Sequence, residues 1–363
     1  MGLQAQEIMT MDKEQLIITS EDLILVTGAA GFIGSKLVES LIGKGFRNIR
    51  CFVRPSSDID KINYLIKRVN GASVEVYKGN LLSPEDCNNA MKDVKVVYHL
   101  AAGTGDKSFP NAFMNSVVTT RNLLEATIQN KCLKRFVNIS SFSVYSNVNK
   151  TNRNILDETC PVEENPELRG DAYCFAKLNQ DKIVMEYGRK FHIPYVLLRP
   201  GVVLGPGRNK IAGRVGIDTF GLFLHLAGSN PVPITYVDNC AEAILLAGIK
   251  RGVDNEVLNI VDDDLPSGRQ FLRLYKKNVN NIKSVYIPHA LSYLLFFLWE
   301  RYSIWSQGQL PPVYTRKAWH AYWKGSQYSN EKLKKLCGWR PMVPMSEGLK
   351  SYFNSCREAQ RHA

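Results

Sequence analysis

The chain has 363 residues, 45% hydrophobic and 22% charged, a composition that predicts a globular protein with a large core. Eight cysteines are scattered without a CxxC pair or a Cys/His cluster at metal spacing, so we predict reduced thiols, a cytoplasmic location and no metal site. The net charge of +12 suits anionic cofactors, substrates or lipids, and no basic run or nucleic-acid motif indicates a nucleic-acid partner.

The first part of the chain predicts a leader followed by a βαβ unit. Residues 1–20 lack a signal-peptide core and strong periodicity, and we expect a flexible leader there. The stretch 22–54 begins with an apolar strand at 23–26, continues through a glycine turn into an amphipathic helix that ends at two glycines, and closes with a strand at 49–53.

The turn of this unit has the glycine spacing of a dinucleotide site. Gly28 permits the tight turn, Gly31 lets the backbone approach a pyrophosphate, and Gly34 lets the helix pack closely on the strand. Phe32 and Ile33 open the helix, whose N-terminal N–H groups and partial positive charge suit phosphates. Glycines also mark ordinary turns, but their place between a strand and a helix favours dinucleotide binding.

The end of the second strand bears on which dinucleotide is bound. An acidic residue at this place usually holds the ribose 2′-hydroxyl of NAD, whereas this chain has Arg54 followed by Ser56 and Ser57. A guanidinium with nearby hydroxyls suits a 2′-phosphate, so we predict NADP in preference to NAD. The alternative is that Arg54 is a solvated surface residue.

Strands and helices go on alternating after this unit. We predict a strand at 74–77, a helix at 84–91, a strand at 94–100, a helix at about 111–130 and a strand at 136–139. This alternation implies right-handed crossovers between parallel strands, and the predicted fold class is therefore α/β with a doubly wound, Rossmann-type sheet.

Three polar residues suit acid–base chemistry. Ser141 follows the strand at 136–139, and Tyr173 and Lys177, four residues apart, share one face of a predicted helix. A tyrosine with an ordinary pKa of about 10 is a poor acid–base group at neutral pH, and we expect the nearby ammonium to lower that pKa. Ser141 would hydrogen-bond a substrate oxygen while Tyr173 gives or takes its proton. The spacing alone also fits an exposed aromatic–lysine pair.

Six motifs together resemble the extended short-chain dehydrogenase/reductase family, within the NAD-dependent epimerase/dehydratase superfamily. They occur in the order TGAAGFIG, VYHLAA, SSFSVY, YCFAK, LRPGVVLGPG and YVDNCAEAI. The resemblance implies a Rossmann domain, a nicotinamide cofactor and a Ser–Tyr–Lys catalytic set, which falls on Ser141, Tyr173 and Lys177. The tyrosine and the lysine are then expected to contact the cofactor as well.

The resemblance implies further cofactor contacts. Pro200 and Val203 match the loop that borders the nicotinamide. Asn80 stands where the family usually has an Asp near the adenine, and Leu81 follows it. The last two contacts, Ala101 and Ala102, are small residues after a strand and are able to border a cofactor.

The alternation loosens in the second half, which predicts a smaller substrate lobe interleaved with the sheet. We expect residues 21–204, together with about 236–262, to form the NAD(P)-binding Rossmann domain. Residues 205–235 and 265–363 are expected to form the C-terminal substrate lobe.

Two features bear on the substrate. Family members that act on nucleotide sugars usually have an arginine just before the YVD strand, and residues 228–234 of this chain contain no cation; Arg208 or Arg214 would have to substitute. The segment 289–305 is apolar but shorter than the roughly 20 residues of a membrane span. It predicts a buried lobe helix, a helix at a membrane interface, or one wall of a greasy substrate pocket.

The end of the chain resembles 3β-hydroxysteroid dehydrogenase-like proteins. The features that carry this resemblance are the segment 289–305, Pro311-Pro312 with Arg316, the run 328–333, Gly338-Trp339 and Pro341. Sugar epimerases share the final K-L-x-x-x-x-G-W-x-P element, here residues 332–341, so that portion does not discriminate between the two.

We therefore predict an NAD(P)-dependent oxidoreductase that moves a hydride to or from a secondary alcohol or ketone carbon, with a hydrophobic, sterol- or isoprenoid-like substrate. The alternatives are a nucleotide-sugar epimerase or dehydratase with a tightly held cofactor, and a non-catalytic dinucleotide sensor. A small-molecule substrate is the expected partner. A homodimer, and a location at the membrane periphery through residues 289–305, are left open.

Overall fold

The computed structural model describes residues 13–68, 73–103, 108–148, 154–307, 309 and 312–361. The strands, in chain order, are β1 Ile24–Thr27, β2 Asn48–Val53, β3 Ser73–Lys78, β4 Val96–His99, β5 Arg135–Ile139, β6 Ile155–Leu156, β7 Tyr195–Pro200, β8 Val202–Leu204, β9 Gly216–Thr219, β10 Leu222–His225, β11 Ile234–Tyr236, β12 Glu256–Ile260, β13 Ser284–Tyr286 and β14 Gln327–Tyr328. The helices are α1 Phe32–Gly43, α2 Asp60–Arg68, α3 Pro84–Ala90, α4 Phe109–Phe113, α5 Thr119–Gln129, α6 Ala172–Phe191, α7 Val237–Ile249, α8 Gly268–Asn278, α9 His289–Trp305, α10 Arg316–Trp323, α11 Glu331–Cys337 and α12 Met345–Arg361.

Seven parallel strands form the main sheet, in the order β12-β7-β5-β4-β1-β2-β3. The chain winds outward from β1 to β3 and then returns to β4 on the other side of β1. The winding direction therefore reverses between β1 and β4, and the carboxyl ends of these strands border a crevice, the usual ligand site of open α/β sheets. The predicted doubly wound α/β fold is confirmed.

Helices cover both faces of this sheet, which explains the continuous apolar runs of its central strands. All residues of β1, β4 and β5 are buried. Helices α1 and α7 contribute to the core on one face, and α3, α5 and α6 contribute to the core on the other. A strand buried on both faces has no side turned to solvent, so its sequence is mainly apolar and does not alternate. The polar exceptions in these strands are buried as well: Thr27, His99, Arg135 and Asn138.

Two α-helices are joined by a π-helical turn where the sequence predicts one helix at 111–130. The turn, Met114–Val118, lies between α4 and α5. Within it, the Ser116 hydroxyl accepts a hydrogen bond from the Gly103 backbone N–H at 3.0 Å. The Ser116 carbonyl accepts one from the Thr120 hydroxyl at 2.6 Å. The turn thus packs against the loop that follows β4.

The C-terminal half adds a second core beside the sheet. Residues from β8, β10, β11, α8 and α12 bury their apolar side chains together there. One part of the predicted lobe does not pack in this second core. Its residues Leu333, Cys337 and Trp339 belong to the core of the main sheet. The Trp339 indole N–H donates to the Asn239 carbonyl of α7 at 3.0 Å. Helix α11 is therefore packed on the sheet and not with the rest of the predicted lobe.

The expectation of a flexible leader through residue 20 is wrong for its described part. Leu16 forms an antiparallel bridge with Lys250, the Ile17 backbone N–H donates to the Ile249 carbonyl at 2.9 Å, and Ile18 is 4% exposed. An apolar side chain buried in this way fixes the chain at the end of α7. Residues 1–12 of the predicted leader, and Pro311, lie outside the described residues. In the part of the chain that is described, no helix is long and apolar enough to cross a membrane.

Candidate functional site

A cleft of about 580 Å3 lies at the point where the winding of the sheet reverses. The loops after β1, β2, β3 and β4 and the N-terminal part of the α4–α5 segment line it. Of the predicted cofactor residues, seven line the cleft: Gly28, Gly31, Arg54, Asn80, Leu81, Ala101 and Ala102. Its described lining does not include Phe32, Ile33, Gly34, Pro200, Val203, Tyr173 or Lys177.

The three glycines of the first turn have distinct structural reasons. Gly28 has a φ of +69°, a conformation that other residues rarely adopt, and Gly31 donates its N–H to the Gly28 carbonyl at 2.9 Å. A Cβ atom on Gly34 would lie 2.1 Å from the Gly28 oxygen. Phe32, Ile33 and Gly34 form the first turn of α1, and no side chain among the described residues caps it. The turn therefore leaves backbone N–H groups at the helix end for a ligand.

The rim of the cleft is basic and rich in hydroxyls. Arg54 is exposed at the end of β2, and Ser56, Ser57, Asp58 and Lys61 line the same part of the cleft. Lys61 is a second cation that the sequence analysis missed, because α2 was not predicted. The amphipathic spacing of α2 was the signal that would have placed it.

In the loop after β3, Asn80 makes turn hydrogen bonds. Its side-chain oxygen accepts from the Leu82 backbone N–H at 3.0 Å, and its own N–H donates to Asp86 at 2.7 Å. Asp86 is not among the described residues that line the cleft, so its carboxylate holds the loop after β3 and does not replace the Asp that the family usually has at position 80.

The predicted catalytic residues lie together at the carboxyl end of β5. The side chains of Ser141 and Tyr173 interact by a hydrogen bond, and the Lys177 amine lies 6.0 Å from the centre of the Tyr173 ring. Tyr173 occupies the first turn of α6 because Asp171 caps that helix by accepting from the Tyr173 and Cys174 N–H groups, each at 3.0 Å. The local sequence thus fixes the start of the helix and the place of the tyrosine.

Lys177 is held in a buried polar site. It is 4% exposed, and its amine donates to the Ile139 carbonyl at 2.6 Å and to the Gln180 side-chain oxygen at 3.0 Å. Burial lowers the pKa of Lys177 to about 8, and the negative charge of Asp181 offsets part of this effect. An amine with this pKa exchanges protons much closer to neutral pH than a solvated lysine does.

The expected lowering of the Tyr173 pKa is wrong for this structure. Burial raises the pKa of Tyr173, and the hydrogen bond from Ser141 only partly opposes that effect. The reason is that removing a phenolate from water costs more than the nearby polar groups return. Arg208 is among the groups whose charge lowers the Tyr173 pKa.

A buried hydrogen-bond chain, which the sequence analysis missed, links Lys177 to the cleft. Gln180 donates to the Thr120 hydroxyl at 2.8 Å, and His99 lies 2.9 Å from Thr120 and 2.8 Å from Thr27. The Ala101 N–H in turn donates to the Thr27 hydroxyl at 3.3 Å. A histidine inside the apolar strand motif VYHLAA was the available signal.

The hydrogen bonds assign the state of His99. Thr120 gives its one hydroxyl proton to the Ser116 carbonyl, so it accepts at the His99 side and Nε2 carries the imidazole proton. Nδ1 then accepts from Thr27. Burial lowers the pKa of His99 to about 3, which keeps the ring neutral at ordinary pH.

The two arginines considered for substrate binding differ in position. The Arg208 guanidinium lies 5.6 Å from the Phe32 ring at the start of α1. Arg214 is only 8% exposed, donates to the Ala321 carbonyl at 2.9 Å and lies 5.1 Å from the Tyr322 ring. Arg214 is thus committed to packing against α10, whereas Arg208 stands beside the helix end.

Pro200 and Val203 do not border the cleft itself. Pro200 ends β7, and Val203 is 7% exposed within the core of the main sheet. The loop between them is held against β11, because the Val202 N–H donates to the Pro233 carbonyl at 2.7 Å.

The comparison with known proteins is decisive for the family. A model of the NAD dependent epimerase/dehydratase family matches residues 24–260, more than half of the chain. The chain belongs to this family. The resemblance carried by the six motifs is therefore confirmed, and the family is one of NAD-dependent enzymes.

Curated relatives span several chemistries. The chain is 29% identical over 273 residues to a dTDP-D-glucose 4,6-dehydratase of Dictyostelium discoideum, a match that covers 69% of this chain and 60% of that protein. It is 28% identical over 194 residues to cinnamoyl-CoA reductase 1 of Petunia hybrida, covering 52% of this chain and 56% of the reductase. The chain thus spans less than two thirds of the length of these relatives.

Solved structures share the fold along nearly the whole chain. UDP-glucuronic acid 4-epimerase of Bacillus cereus, solved in complex with NAD, superposes with a TM-score of 0.67 at 24% identity. The superposition covers 93% of this chain and 99% of the epimerase chain. This likeness supports the fold of both the sheet and the C-terminal half.

Proposed function

We propose that this protein is an NAD(P)-dependent oxidoreductase that moves a hydride to or from a carbon bearing a secondary alcohol or ketone. The observation that carries the proposal is the grouping of Ser141, Tyr173 and the buried Lys177 at the carboxyl end of β5. Family membership and the cleft at the sheet switch point support it. A non-catalytic dinucleotide sensor has no need of this grouping.

The residues around the first turn fit a dinucleotide. The glycines let the turn fold tightly on itself, since a Cβ atom on Gly31 or Gly34 would lie 3.0 or 2.1 Å from the Gly28 oxygen. No described side chain caps the start of α1, so its N–H groups suit a pyrophosphate. When bound, the cofactor supplies or accepts the hydride. Arg54, with Ser56 and Ser57 beside it, favours a 2′-phosphate, and we therefore propose NADP in preference to NAD.

Side chains of the protein would carry out the proton transfer that accompanies hydride transfer. Tyr173 would hold the proton that passes to or from the substrate oxygen, and Ser141 would orient that oxygen through its hydroxyl. Lys177, with a pKa of about 8, would be charged at neutral pH and so stabilise negative charge as it develops on Tyr173. Gln180 and the Ile139 carbonyl would hold the amine in place.

For the substrate we propose a hydrophobic ketone or alcohol. Residues 228–234 supply no cation for a sugar diphosphate, and Arg214 is occupied by packing. The competing proposal is a nucleotide-sugar epimerase or dehydratase, which the functions of several relatives favour. In that case Arg208 is the cation best placed to meet an anionic substrate, because it lies beside the start of α1.

The two substrate proposals give different results in one screen. The purified protein is first analysed for any nucleotide that it carries, and NADPH oxidation is then measured with hydrophobic ketones and with sugar nucleotides. Net oxidation with hydrophobic ketones supports the first proposal. A tightly held NAD with conversion of sugar nucleotides and no net oxidation contradicts it.

The test of the site is Tyr173→Phe. Because the hydroxyl is the proposed proton donor, we expect turnover to fall by about 10² to 10⁴-fold while cofactor binding is retained. Tyr187→Phe is the matched control, since Tyr187 lies on the same helix and its hydroxyl contacts Glu125 on the surface. An unchanged rate in Tyr173→Phe would contradict the assignment. Titration of the unaltered protein with NADH and with NADPH tests the proposed role of Arg54 in binding a 2′-phosphate. Equal affinity for the two cofactors would contradict that role.

We also propose a division of the chain into two domains and a location for the protein in the cell. The main sheet with its helices, including α11, would form the cofactor domain, and the core made by α8 and α12 would support the substrate lobe. A cytoplasmic protein with contact to a membrane surface through residues 289–305 is the arrangement that we favour. The competing proposal is that the exposed residues of 289–305 form the interface of a homodimer.

A further inference from the structure

Helix α9 turns its large apolar side chains outward. Only Ser292, Phe296 and Ser303 of this helix are buried. The exposed large side chains on its outer face are Leu291 at 45%, Leu294 at 49%, Leu295 at 49%, Leu298 at 52%, Tyr302 at 51% and Trp305 at 76%. We call these six residues the α9 stripe. A globular protein rarely leaves so many neighbouring large apolar side chains in water without a partner.

The α9 stripe is continuous and uncharged. Successive residues of an α-helix are rotated by about 100° and rise by about 1.5 Å, so the six positions fall within an arc of about 100° and extend for about 21 Å. Their order from leucines to Tyr302 and Trp305 puts the aromatic side chains at one end. Aromatic rings with a polar tip favour the boundary between water and lipid.

A row of cations lies on α8, the helix that precedes α9 in the chain. Arg269, Arg273 and Lys277 are exposed at four-residue spacing along α8, and this helix contains no acidic residue. We call these three residues the α8 row. The Arg269 guanidinium lies 5.6 Å from the ring of Tyr286, which is three residues before α9 begins. This contact joins the α8 row to the start of the helix that bears the stripe.

The charge of residues 268–305 is mainly positive. Residues 268–305 contain six lysines and arginines and one acidic residue, Glu300. Glu300 is already paired with Arg316 at 3.0 Å. The segment therefore carries a charge of +5 from its own residues, since six positive charges and one negative charge are present.

We propose that the α9 stripe and the α8 row together form a docking surface for a bilayer that contains anionic lipids. The stripe would enter the acyl boundary while the cations meet the headgroups. A second copy of this chain is the weaker occupant, because it would place two α8 rows, each with three cations, against each other. The proposal does not depend on the reaction, since it concerns only where the protein binds.

Vesicle flotation tests the proposal with the full-length protein. Vesicles of phosphatidylcholine alone are compared with vesicles of phosphatidylcholine and phosphatidylglycerol in equal parts, at low and high salt. We expect binding only to the anionic vesicles, and weaker binding at high salt because salt screens the headgroup charge. Equal binding to both kinds of vesicle, or binding that salt does not change, would overturn the electrostatic part of the proposal.

Paired variants test each half of the surface. Leu294→Gln with Leu298→Gln should weaken partitioning about tenfold or more, because two half-exposed leucines no longer gain from leaving water. Arg273→Gln with Lys277→Gln should weaken it about 30-fold. The matched controls, Ile128→Gln and the pair Lys335→Gln with Arg340→Gln, remove exposed side chains of the same kinds elsewhere and should leave partitioning unchanged. Equal losses in variants and controls would overturn the proposal.

Tryptophan quenching by brominated lipid gives a second measurement on the unaltered surface. Trp319, Trp323 and Trp339 are each less than 10% exposed, so quenching should arise mainly from the α9 end of the protein. Trp305→Phe should remove most of it. If the protein instead dimerises in a concentration-dependent way that the leucine variant abolishes, and shows no quenching, the occupant is a second copy and the membrane proposal is wrong.

Discussion

At the scale of single residues, burial disfavours the charged forms of two groups in the site, the Tyr173 phenol and the Lys177 amine. Burial raises the pKa of Tyr173 and lowers the pKa of Lys177 to about 8. Each group alone is therefore pushed towards its neutral form. A tyrosinate and an ammonium formed as neighbours would offset each other's cost, so the pair is better suited to sharing charge during a reaction than either residue is at rest.

The buried amine makes stability depend on pH. The folded-state pKa of Lys177, about 8, lies below the 10.5 of an ordinary lysine, so the unfolded chain binds more protons than the folded chain between these two pH values. The free-energy cost of burying Lys177 therefore falls as the pH rises through this range. Relative to Lys177→Met, the free energy of unfolding of the unaltered protein should rise by about 2 kcal/mol from pH 7 to pH 10. Denaturant unfolding at the two pH values measures this change. Lys182→Met, an exposed lysine on the same helix, should show no such trend, and an equal trend in both variants would contradict the prediction.

At the scale of elements, α1 shows how closely a helix can approach its strand. The closest approach is at Gly34, where the first turn of the helix faces the Gly28 carbonyl. Gly43, at the other end of the same helix, has nothing within 4 Å of an added Cβ atom. Two glycines of one helix therefore have opposite tolerance for a methyl group.

This contrast predicts opposite effects of one substitution. Gly34→Ala should destabilise the fold by about 1 to 3 kcal/mol, because the methyl group overlaps a backbone oxygen, and should weaken NADPH binding as α1 shifts. Gly43→Ala should be neutral or stabilising by up to about 1 kcal/mol. Thermal unfolding with and without NADPH gives both quantities. Similar behaviour of the two variants would show that the close approach at Gly34 is not a constraint.

The sequence predicts elements well where burial is complete and poorly where contacts are distant. The fully buried strands β1, β4 and β5 lie within two residues of their predicted positions, because an apolar run bounded by turns has few other interpretations. For the hydrogen-bond chain through His99 and Gln180, the histidine in the motif VYHLAA was a signal, but nothing in the sequence indicated its partners. The members of this hydrogen-bond chain come from four elements, and only folding brings them together. The packing of Trp339 on α7 was missed for the same reason.

At the scale of the whole molecule, two segments far apart in the described chain pack into the same core. Ile18 near the N-terminus and Trp339 near the C-terminus both belong to the core that covers one face of the sheet. Contacts between distant parts of a chain make its unfolding cooperative, because neither part keeps its core when the other leaves. The predicted domains should therefore not unfold separately.

Trp339 tests this cooperativity. Trp339→Ala removes a side chain that is 1% exposed and should lower the free energy of unfolding by about 3 to 5 kcal/mol in a single transition. Trp305→Ala, at 76% exposure, is the matched control and should change stability little. Fluorescence and circular dichroism are followed in the same denaturant titration. Two separate transitions, or equal losses in the two variants, would contradict the shared core.

The π-helical turn ties the number of residues in one short segment to two separate sites. Such a turn holds one more residue than the same stretch of α-helix. Asn111 and Asn115 line the cleft, while Thr120, just beyond the turn, contacts His99. Removing one residue from 114–118 would restore a regular helix and rotate its two halves by about 100° relative to each other. Either the asparagines would leave the cleft or Thr120 would leave the imidazole, so this segment tolerates changes of residue far better than changes of length.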